Sequence, residues 1–429
     1  MKLNRMLAIF LVLVMTLSLL VSCGGDEGTK ESENNSTVQE STVEDTSDKT
    51  VEETASETEE TVTNLKLPDG VDPDKYYKFV TFELPEGDPR QLVVEYMRTQ
   101  AHVEWIAAND IKLKDDLGSW NVNLTYERGR TYHGMIYSNV NSSLHKFEEQ
   151  IAENKGKFRS DATSWENITG VGCCSAILNA IQQVTNDVYG ETANFIPNGK
   201  NTCRAIKLGD YTVKDGCIQT DEIVAENDQQ VMYKSYALLD VGDVIVKRVN
   251  GAPHIRVVTE KATVVETNGR INPGRSYVKC IEQTNAFDKT RTDGVLTTWR
   301  EDKLYTFTDL LDSKYLPVTL GVYETPETEL PYLALNEEIT PAILAKKTVV
   351  GSVSSNYPLK HVYISLYNSN GMVVEQEICS GFDDTFSVGL RSKVTNFFND
   401  LKPGNYTFVV EAGIALGSAE LCRVDFTVA

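Results

Sequence analysis

The sequence changes character near residue 64, and this change limits which part of the chain can fold. Residues 24–64 are mainly Glu, Asp, Ser and Thr, with Lys30 and Lys49 as their only cations. Because such a segment buries too little apolar surface to offset its conformational entropy, we expect it to remain disordered. A flexible coil of this length spans roughly 35 Å, and repulsion among its carboxylates lengthens it. The folded part is therefore confined to about 365 residues, enough for two or three domains.

Residues 1–22 are typical of a signal peptide. Lys2 and Arg5 precede an apolar run from Leu7 to Leu20 that is too short and wrongly flanked for an ordinary spanning helix. The segment Leu20-Val21-Ser22-Cys23 resembles the lipobox of bacterial lipoproteins, and ordinary cleavage near Ser22 is the alternative. The resemblance implies that Cys23 is lipidated and that residues 23–64 tether the protein to the extracellular face of a bacterial membrane, within the cell envelope.

The formal net charge of −21 says little about the folded part, because about half of it belongs to residues 24–64. No cluster of Lys and Arg compensates this acidity, which argues against nucleic acid as a partner. The sequence also has no glycine-rich phosphate loop and no second Cys/His cluster at metal-ligand spacing. We therefore expect neither a cofactor nor a metal.

Seven of the eight cysteines remain once Cys23 is set aside. An odd number in an exported chain implies at least one free thiol or an intermolecular bond. Spacing alone does not determine connectivity. It allows the pairs Cys203–Cys217 and Cys379–Cys422, which would leave Cys173, Cys174 and Cys280 reduced.

Helical patterns precede strand patterns in the first part of the folded chain. Asp88-Pro89, followed by apolar residues at helical spacing, predicts an amphipathic helix over 89–107. Residues 145–155 and Ala176–Val184 also have helical character, whereas Val244–Val246 and Ile255–Val258 are typical of buried strands. This order predicts an α+β domain over residues 65–322, in which a helix packs on an antiparallel sheet.

The remainder of the chain has a different pattern. Three prolines within a Glu- and Thr-rich stretch predict a linker over residues 323–348. Residues 349–429 contain alternating apolar runs and the dipeptide Asn370-Gly371, a strong hairpin signal. We expect a small immunoglobulin-like β-sandwich with a binding or spacing role, in which His361 is a strand residue.

Cys174 and His254 carry the candidate chemistry. Cys174 lies at the predicted start of a helix, where unpaired N–H groups and the helix dipole stabilise a thiolate. His254 would act as a general base and then protonate a leaving amine. Its ring needs an orienting partner from the next strand, Glu282 or Gln283, and only one of these can face it because neighbouring strand residues alternate.

Each of these residues also has a purely structural interpretation. Cysteines outside disulfides are commonly buried as small apolar side chains. A histidine on an apolar strand is more often a hydrogen-bonded core residue than a catalytic one. Cys173 and Cys174 could instead form a strained vicinal disulfide, and Glu282 could be a solvent-facing carboxylate.

The order of these motifs resembles that of the NlpC-type cell-wall cysteine peptidases. The resemblance covers about residues 130–300 and rests on Gly134-Met-Ile-Tyr137-Ser, Gly172-Cys-Cys174-Ser175, Leu239-Asp-Val-Gly242-Asp243-Val-Ile and His254-Ile-Arg-Val-Val. It implies a papain-like fold and cleavage of amide bonds in peptidoglycan stem peptides. The implied catalytic residues are Cys174, His254 and Glu282, with Tyr137, Ser175 and Gln283 lining the substrate or oxyanion region. This chain departs from the family pattern at Cys173, where Asp is common, and in the long segment between Cys174 and His254.

These observations predict a membrane-tethered cysteine hydrolase that cleaves peptidoglycan through an acyl-enzyme on Cys174. Two other functions are compatible with the sequence. One is a non-catalytic surface lipoprotein that binds wall fragments or a protein partner. The other is a thiol acyltransferase or amidase acting on a different substrate.

Overall fold

The computed structural model describes residues 65–115, 120–198, 203–250, 252–382 and 384–428. The expected signal peptide, the lipidated Cys23 and the tether lie outside these residues. All described residues belong to one compact unit. Among them, no helix combines the length and the apolar character needed to cross a membrane.

The described residues form seven α-helices and twenty-one strands, with a few short 3-10 helices. The helices are α1 (Pro89–His102), α2 (Leu144–Glu153), α3 (Cys173–Ile181), α4 (Thr220–Glu226), α5 (Gln229–Tyr236), α6 (Phe307–Asp312) and α7 (Pro341–Ala345). The strands of the first part are β1 (Lys78–Thr81), β2 (Glu104–Ala107), β3 (Ile111–Lys114), β4 (Asn123–Tyr126), β5 (Thr131–His133), β6 (Lys157–Phe158), β7 (Ala205–Lys207), β8 (Val244–Val249), β9 (Ala252–Thr263), β10 (Glu266–Thr267), β11 (Arg270–Ile271), β12 (Tyr277–Gln283), β13 (Trp299–Thr306) and β14 (Leu316–Leu320). The remaining strands are β15 (Tyr332–Leu335), β16 (Ser352–Ser355), β17 (His361–Asn368), β18 (Val373–Ser380), β19 (Ser387–Gly389), β20 (Gly404–Ile414) and β21 (Gly417–Val428).

Helix α1 begins as predicted and ends earlier. The Asp88 carboxylate accepts a hydrogen bond from the Arg90 N–H at 3.1 Å, so it caps the helix that Pro89 opens. The predicted continuation over 103–107 is wrong, because residues 104–107 form β2. There Trp105 is buried and the backbone pairs with β5 and β6. Pairing with strands distant in sequence therefore overrides the local helical spacing.

A six-stranded antiparallel sheet forms the centre of the α+β part. Its strand order is β13-β12-β9-β8-β14-β7, and helix α3 packs against β9 and β12. Val244, Ile245 and Val246 of β8 are all buried, and α4 packs against this strand. The prediction of a mixed α+β architecture with mostly antiparallel sheets is confirmed.

Two four-stranded antiparallel sheets enclose a second apolar core near the end of the chain. Their strand orders are β18-β17-β20-β21 and β1-β15-β16-β19, and apolar side chains from both sheets fill the space between them. The predicted hairpin at Asn370-Gly371 joins β17 to β18, and Gly371 adopts a φ of 73° that the tight turn requires.

The segment 323–348, expected to be a linker, belongs to this second core. Leu333 and Leu335 of β15 and Leu344 of α7 are fully buried. Pro341 opens α7, at a position where its missing N–H has no intrahelical acceptor to lose. Its position at the start of a helix explains why this proline is compatible with regular structure.

Strand β1 also differs from the expected division of the chain. Its residues precede the α+β part in sequence, yet they pair with β15, and Thr81 lies opposite Tyr332. Residues 78–81 therefore contribute to the C-terminal sheets rather than to the central six-stranded sheet.

Neither of the two disulfides allowed by cysteine spacing is present. Cys379 on β18 and Cys422 on β21 are separated by strands β17 and β20. Three inter-strand spacings amount to about 14 Å, twice the Cα separation of about 7 Å that a disulfide can span. The Cys203 thiol donates to the Tyr189 carbonyl at 3.1 Å, and the Cys217 thiol donates to the Gln219 carbonyl at 3.6 Å.

Candidate active site

The loop before α3 fixes the position of a thiol at the helix N-terminus. Val171 pairs with the chain around Tyr137, and its N–H donates to the Ile136 carbonyl at 2.9 Å. The chain at residue 170 passes so close to Ile136 that only glycine fits, because a Cβ on residue 170 would lie 2.2 Å from the Ile136 carbonyl oxygen. Gly172 then caps the helix in an extended conformation, so the first helical residue is Cys173.

Cys173, rather than the expected Cys174, is the cysteine that the structure brings to His254. A side-chain hydrogen bond and the charge of Cys173 act on the imidazole. Cys174 follows about 100° further around the helix, is half-buried, and packs against the apolar core. The difference arises because the helix begins one residue earlier than the resemblance implied.

His254 and Glu282 come together from the neighbouring strands β9 and β12. His254 Nε2 hydrogen-bonds to Glu282 Oε2, which leaves Nδ1 as the ring nitrogen for a second partner. Burial of the ring disfavours its charged form. The hydrogen bonds and charges of Cys173 and Glu282 outweigh this effect and raise the pKa of His254 to about 9. The ring is therefore an imidazolium at neutral pH.

Glu282 is a buried carboxylate, only 2% exposed, whose two oxygens accept hydrogen bonds from three side chains. Besides His254, Oε2 accepts from Arg256 Nε at 2.7 Å, and Oε1 accepts from the Tyr305 hydroxyl. Burial alone would raise the pKa of Glu282. The hydrogen bonds and positive charges of His254 and Arg256 instead hold its pKa well below the usual range.

Arg256 and Tyr305 are site residues that our sequence reasoning missed. Arg256 lies two positions after His254 on β9, so strand alternation places both side chains on one face. That spacing was visible in the sequence and could have identified Arg256. Tyr305 lies on β13, and no local motif links it to Glu282.

Tyr137 lies close to the Cys173 thiol. Its ring is buried and stacks on Trp165, with centroids 5.4 Å apart and an interplanar angle of 10°. Burial and then the negative charge of Cys173 raise the pKa of Tyr137. The hydroxyl therefore remains protonated and can act as a hydrogen-bond donor near the sulfur.

Ser175 and Gln283, expected to line the substrate region, are occupied by structural hydrogen bonds. Ser175 Oγ accepts from the Gly172 N–H at 2.8 Å, which caps α3. Gln283 is fully buried, and its amide donates to the Met135 carbonyl at 2.8 Å while its oxygen accepts from Thr298 at 2.9 Å. As expected from alternation, Glu282 faces His254 and Gln283 faces away.

Solvent reaches the site at the imidazole and the thiol. The His254 side chain is 23% exposed and Cys173 is 9% exposed. Two cavities of about 490 and 270 Å³ lie elsewhere, one beside His102 and one beside His361, and none of Cys173, His254 and Glu282 lines either of them. His361 is a buried strand residue, 3.4 Å from Glu411.

The chain has no match among protein-family models, curated proteins or solved structures. Among the described residues, no group of three or more His, Cys, Asp or Glu side chains could hold a metal ion. A thiol at a helix N-terminus, beside an imidazolium that a carboxylate orients, is an arrangement suited to nucleophilic catalysis.

Proposed function

We propose that the protein is a cysteine hydrolase that cleaves amide bonds, with Cys173 as the nucleophile. The observation that carries the proposal is the action of Cys173 and Glu282 on the same imidazole, at the N-terminus of α3. In proteins, cysteine nucleophiles typically lie at a helix N-terminus beside an imidazolium.

In the first step the Cys173 sulfur attacks the carbonyl carbon of the amide, and the carbonyl oxygen becomes an oxyanion. The backbone N–H groups in the first turn of α3 have no intrahelical acceptors and are the candidate donors to this oxygen. Each such donor contributes about 10² to 10³ in rate. The Tyr137 hydroxyl, close to the sulfur, is a further donor candidate.

In the second step the tetrahedral intermediate collapses and the C–N bond breaks. His254 gives its proton to the leaving nitrogen, so an amine departs and a thioester remains on Cys173. His254, now neutral, removes a proton from water as the water attacks the thioester. The acid is released and the Cys173–His254 pair is restored. Glu282 keeps the ring in one tautomer throughout.

The proposed substrate is the stem peptide of peptidoglycan, and the proposed fold of the α+β part is papain-like. Support comes from the ordered motifs that resemble NlpC-type peptidases and from the packing of α3 on an antiparallel sheet that holds His254 and Glu282. The lipobox-like segment ending at Cys23 and the acidic residues after it support a location on the outer face of the membrane.

The test compares the mature chain with two alanine variants on purified peptidoglycan. Cys173→Ala should abolish release of peptide fragments identified by mass spectrometry. Cys174→Ala is the matched control, because it removes a neighbouring thiol from the same helix turn and should retain release. Loss of activity only in Cys174→Ala would contradict the assignment of the nucleophile.

Two further outcomes separate the alternative functions. If the parent protein releases no fragments and both variants still bind the wall, the protein is a binding lipoprotein. If products form only when an amine acceptor is added, and carry that amine, the protein is an acyltransferase. Either result overturns hydrolysis as the function.

A further inference from the structure

Arg256 is held more rigidly than a solvent-facing cation. Its side chain is 12% exposed, and its guanidinium lies 3.8 Å from the centroid of the Tyr305 ring and 4.3 Å from that of Tyr315. A planar guanidinium stacks between two rings and keeps its N–H groups directed in the plane, which the ammonium of lysine does not do.

The same oxygen of Glu282 serves both Arg256 and His254. Oε2 accepts from Arg256 Nε at 2.7 Å and from His254 Nε2, and the Tyr305 hydroxyl occupies Oε1. The carboxylate therefore cannot rotate about its last bond without breaking a charge-assisted hydrogen bond. Arg256 also compensates the charge of a carboxylate that is almost completely buried.

This pairing changes what Glu282 presents to the imidazole. A buried carboxylate without a counter-ion would be costly and would bind the imidazole proton tightly. Paired with Arg256, the ionised carboxylate orients the ring while the guanidinium balances part of its charge. Four titratable groups act on the Arg256–Glu282 pair: His254 from β9, Cys280 from β12, Tyr305 from β13 and Tyr315 before β14. Lys247 and Lys303 are more distant and lie over the rings of Tyr315 and Tyr305.

We propose that Arg256 is a positioning residue for His254. Arg256 acts through Glu282, so the Arg256–Glu282 pair is the orienting unit of the site. The inference rests on the proposed function in so far as it concerns turnover. Its structural content, that Arg256 affects His254 only by way of Glu282, holds independently of any substrate.

A double-mutant cycle tests this dependence. Arg256→Met, Glu282→Gln and the combined variant are compared with the parent for amide cleavage and for the titration of His254 by NMR. Arg256→Met should lower kcat/KM about tenfold, equivalent to 1.4 kcal/mol, and should alter the His254 titration. In the Glu282→Gln background the same substitution should change neither quantity. Equal effects in both backgrounds would overturn the proposal.

Two additional variants keep the test decisive. Arg256→Lys retains the charge without the planar stacking, so it should restore only part of the loss. Lys279→Met is the control, because Lys279 pairs with Glu260 at 2.8 Å away from the site, and it should leave all readouts at parental values.

Thermal unfolding gives a readout that needs no turnover. Glu282→Gln leaves Arg256 buried without its counter-ion, so the combined variant should unfold at a higher temperature than Glu282→Gln alone. If the parent shows no cleavage, the proposed function fails, while the NMR titration and the unfolding temperatures still decide the role of Arg256. A combined variant that is less stable by the sum of both single losses would contradict the inference.

Discussion

Replacing Cys173 or Cys174 by alanine should affect His254 in different ways. In the parent, Cys173 and Glu282 together raise the pKa of His254 from 6.5 to about 9 against the opposing effect of burial. If the two groups contribute comparably, loss of Cys173 should lower the pKa of His254 to about 8 or below, a change of about 1.4 kcal/mol or more. Cys174→Ala should leave the value at about 9, because the neighbouring residue projects from a different side of the helix.

The stability of the protein should follow the same titration. Because folding raises the pKa of His254, the stabilisation is fully present below pH 6.5 and is lost as the pH rises through about 9. The whole effect amounts to about 3 kcal/mol. In Cys173→Ala the loss should also begin near pH 6.5, but it should be complete at a lower pH and be smaller.

The assay is an NMR titration between pH 5 and 10 of protein labelled at the histidine ring carbons. The chain has only five histidines, so a His254→Gln variant suffices to assign the resonance. Denaturant unfolding at several pH values then compares the parent with both alanine variants. Identical His254 titrations in the parent and in Cys173→Ala, or a displaced titration in Cys174→Ala alone, would refute the assignment of Cys173 to this imidazole.

Three further outcomes are expected. Ser175→Ala should destabilise the protein by about 1 kcal/mol through loss of the α3 cap and leave KM unchanged, as denaturant unfolding and steady-state kinetics would show; an increased KM with unchanged stability would argue for substrate contact. Because folding lowers the pKa of Glu282, its contribution is present above about pH 4.5 and lost as the pH falls, so the parent but not Glu282→Gln should lose stability steeply in acid. Dithiothreitol should leave the unfolding temperature unchanged, since the Cys379 and Cys422 thiols are not joined; a decrease would indicate a disulfide.

Local patterns predicted those parts of the site that depend on strand geometry. Alternation along β12 allows only one of Glu282 and Gln283 to face the preceding strand, and the structure places Glu282 against His254. The buried strands around Val244 and Val257 were likewise visible as apolar runs. Both inferences rest on a period of two residues, which tertiary context rarely changes.

The choice between the two cysteines depends on non-local contacts. Helix α3 begins at Cys173 because Gly172 is fixed against the chain near Ser138 and because Ser175 caps its N–H. Successive side chains on a helix point in directions about 100° apart. An error of one residue in the predicted start of α3 therefore exchanges the positions of the Cys173 and Cys174 thiols. Sequence spacing does not locate the end of a helix to within one residue.

Non-local strand pairing explains the other differences. Residues 104–107 have helical spacing, but β5 and β6 supply backbone partners that hold them extended. The pairing of Cys379 with Cys422 required neighbouring strands, whereas two strands lie between them. In both cases the structure is decided by strands that are distant in sequence, and the local spacing of apolar residues does not show which strands pair.

The pairing of Thr81 with Tyr332 has a consequence for the modular organisation of the protein. Paired antiparallel residues have Cα atoms about 5 Å apart, so residues 82–331 leave and re-enter the C-terminal sheets at a single point. The α+β part is thus an insertion within one strand pair of its host. A short turn between β1 and β15 would close the same gap.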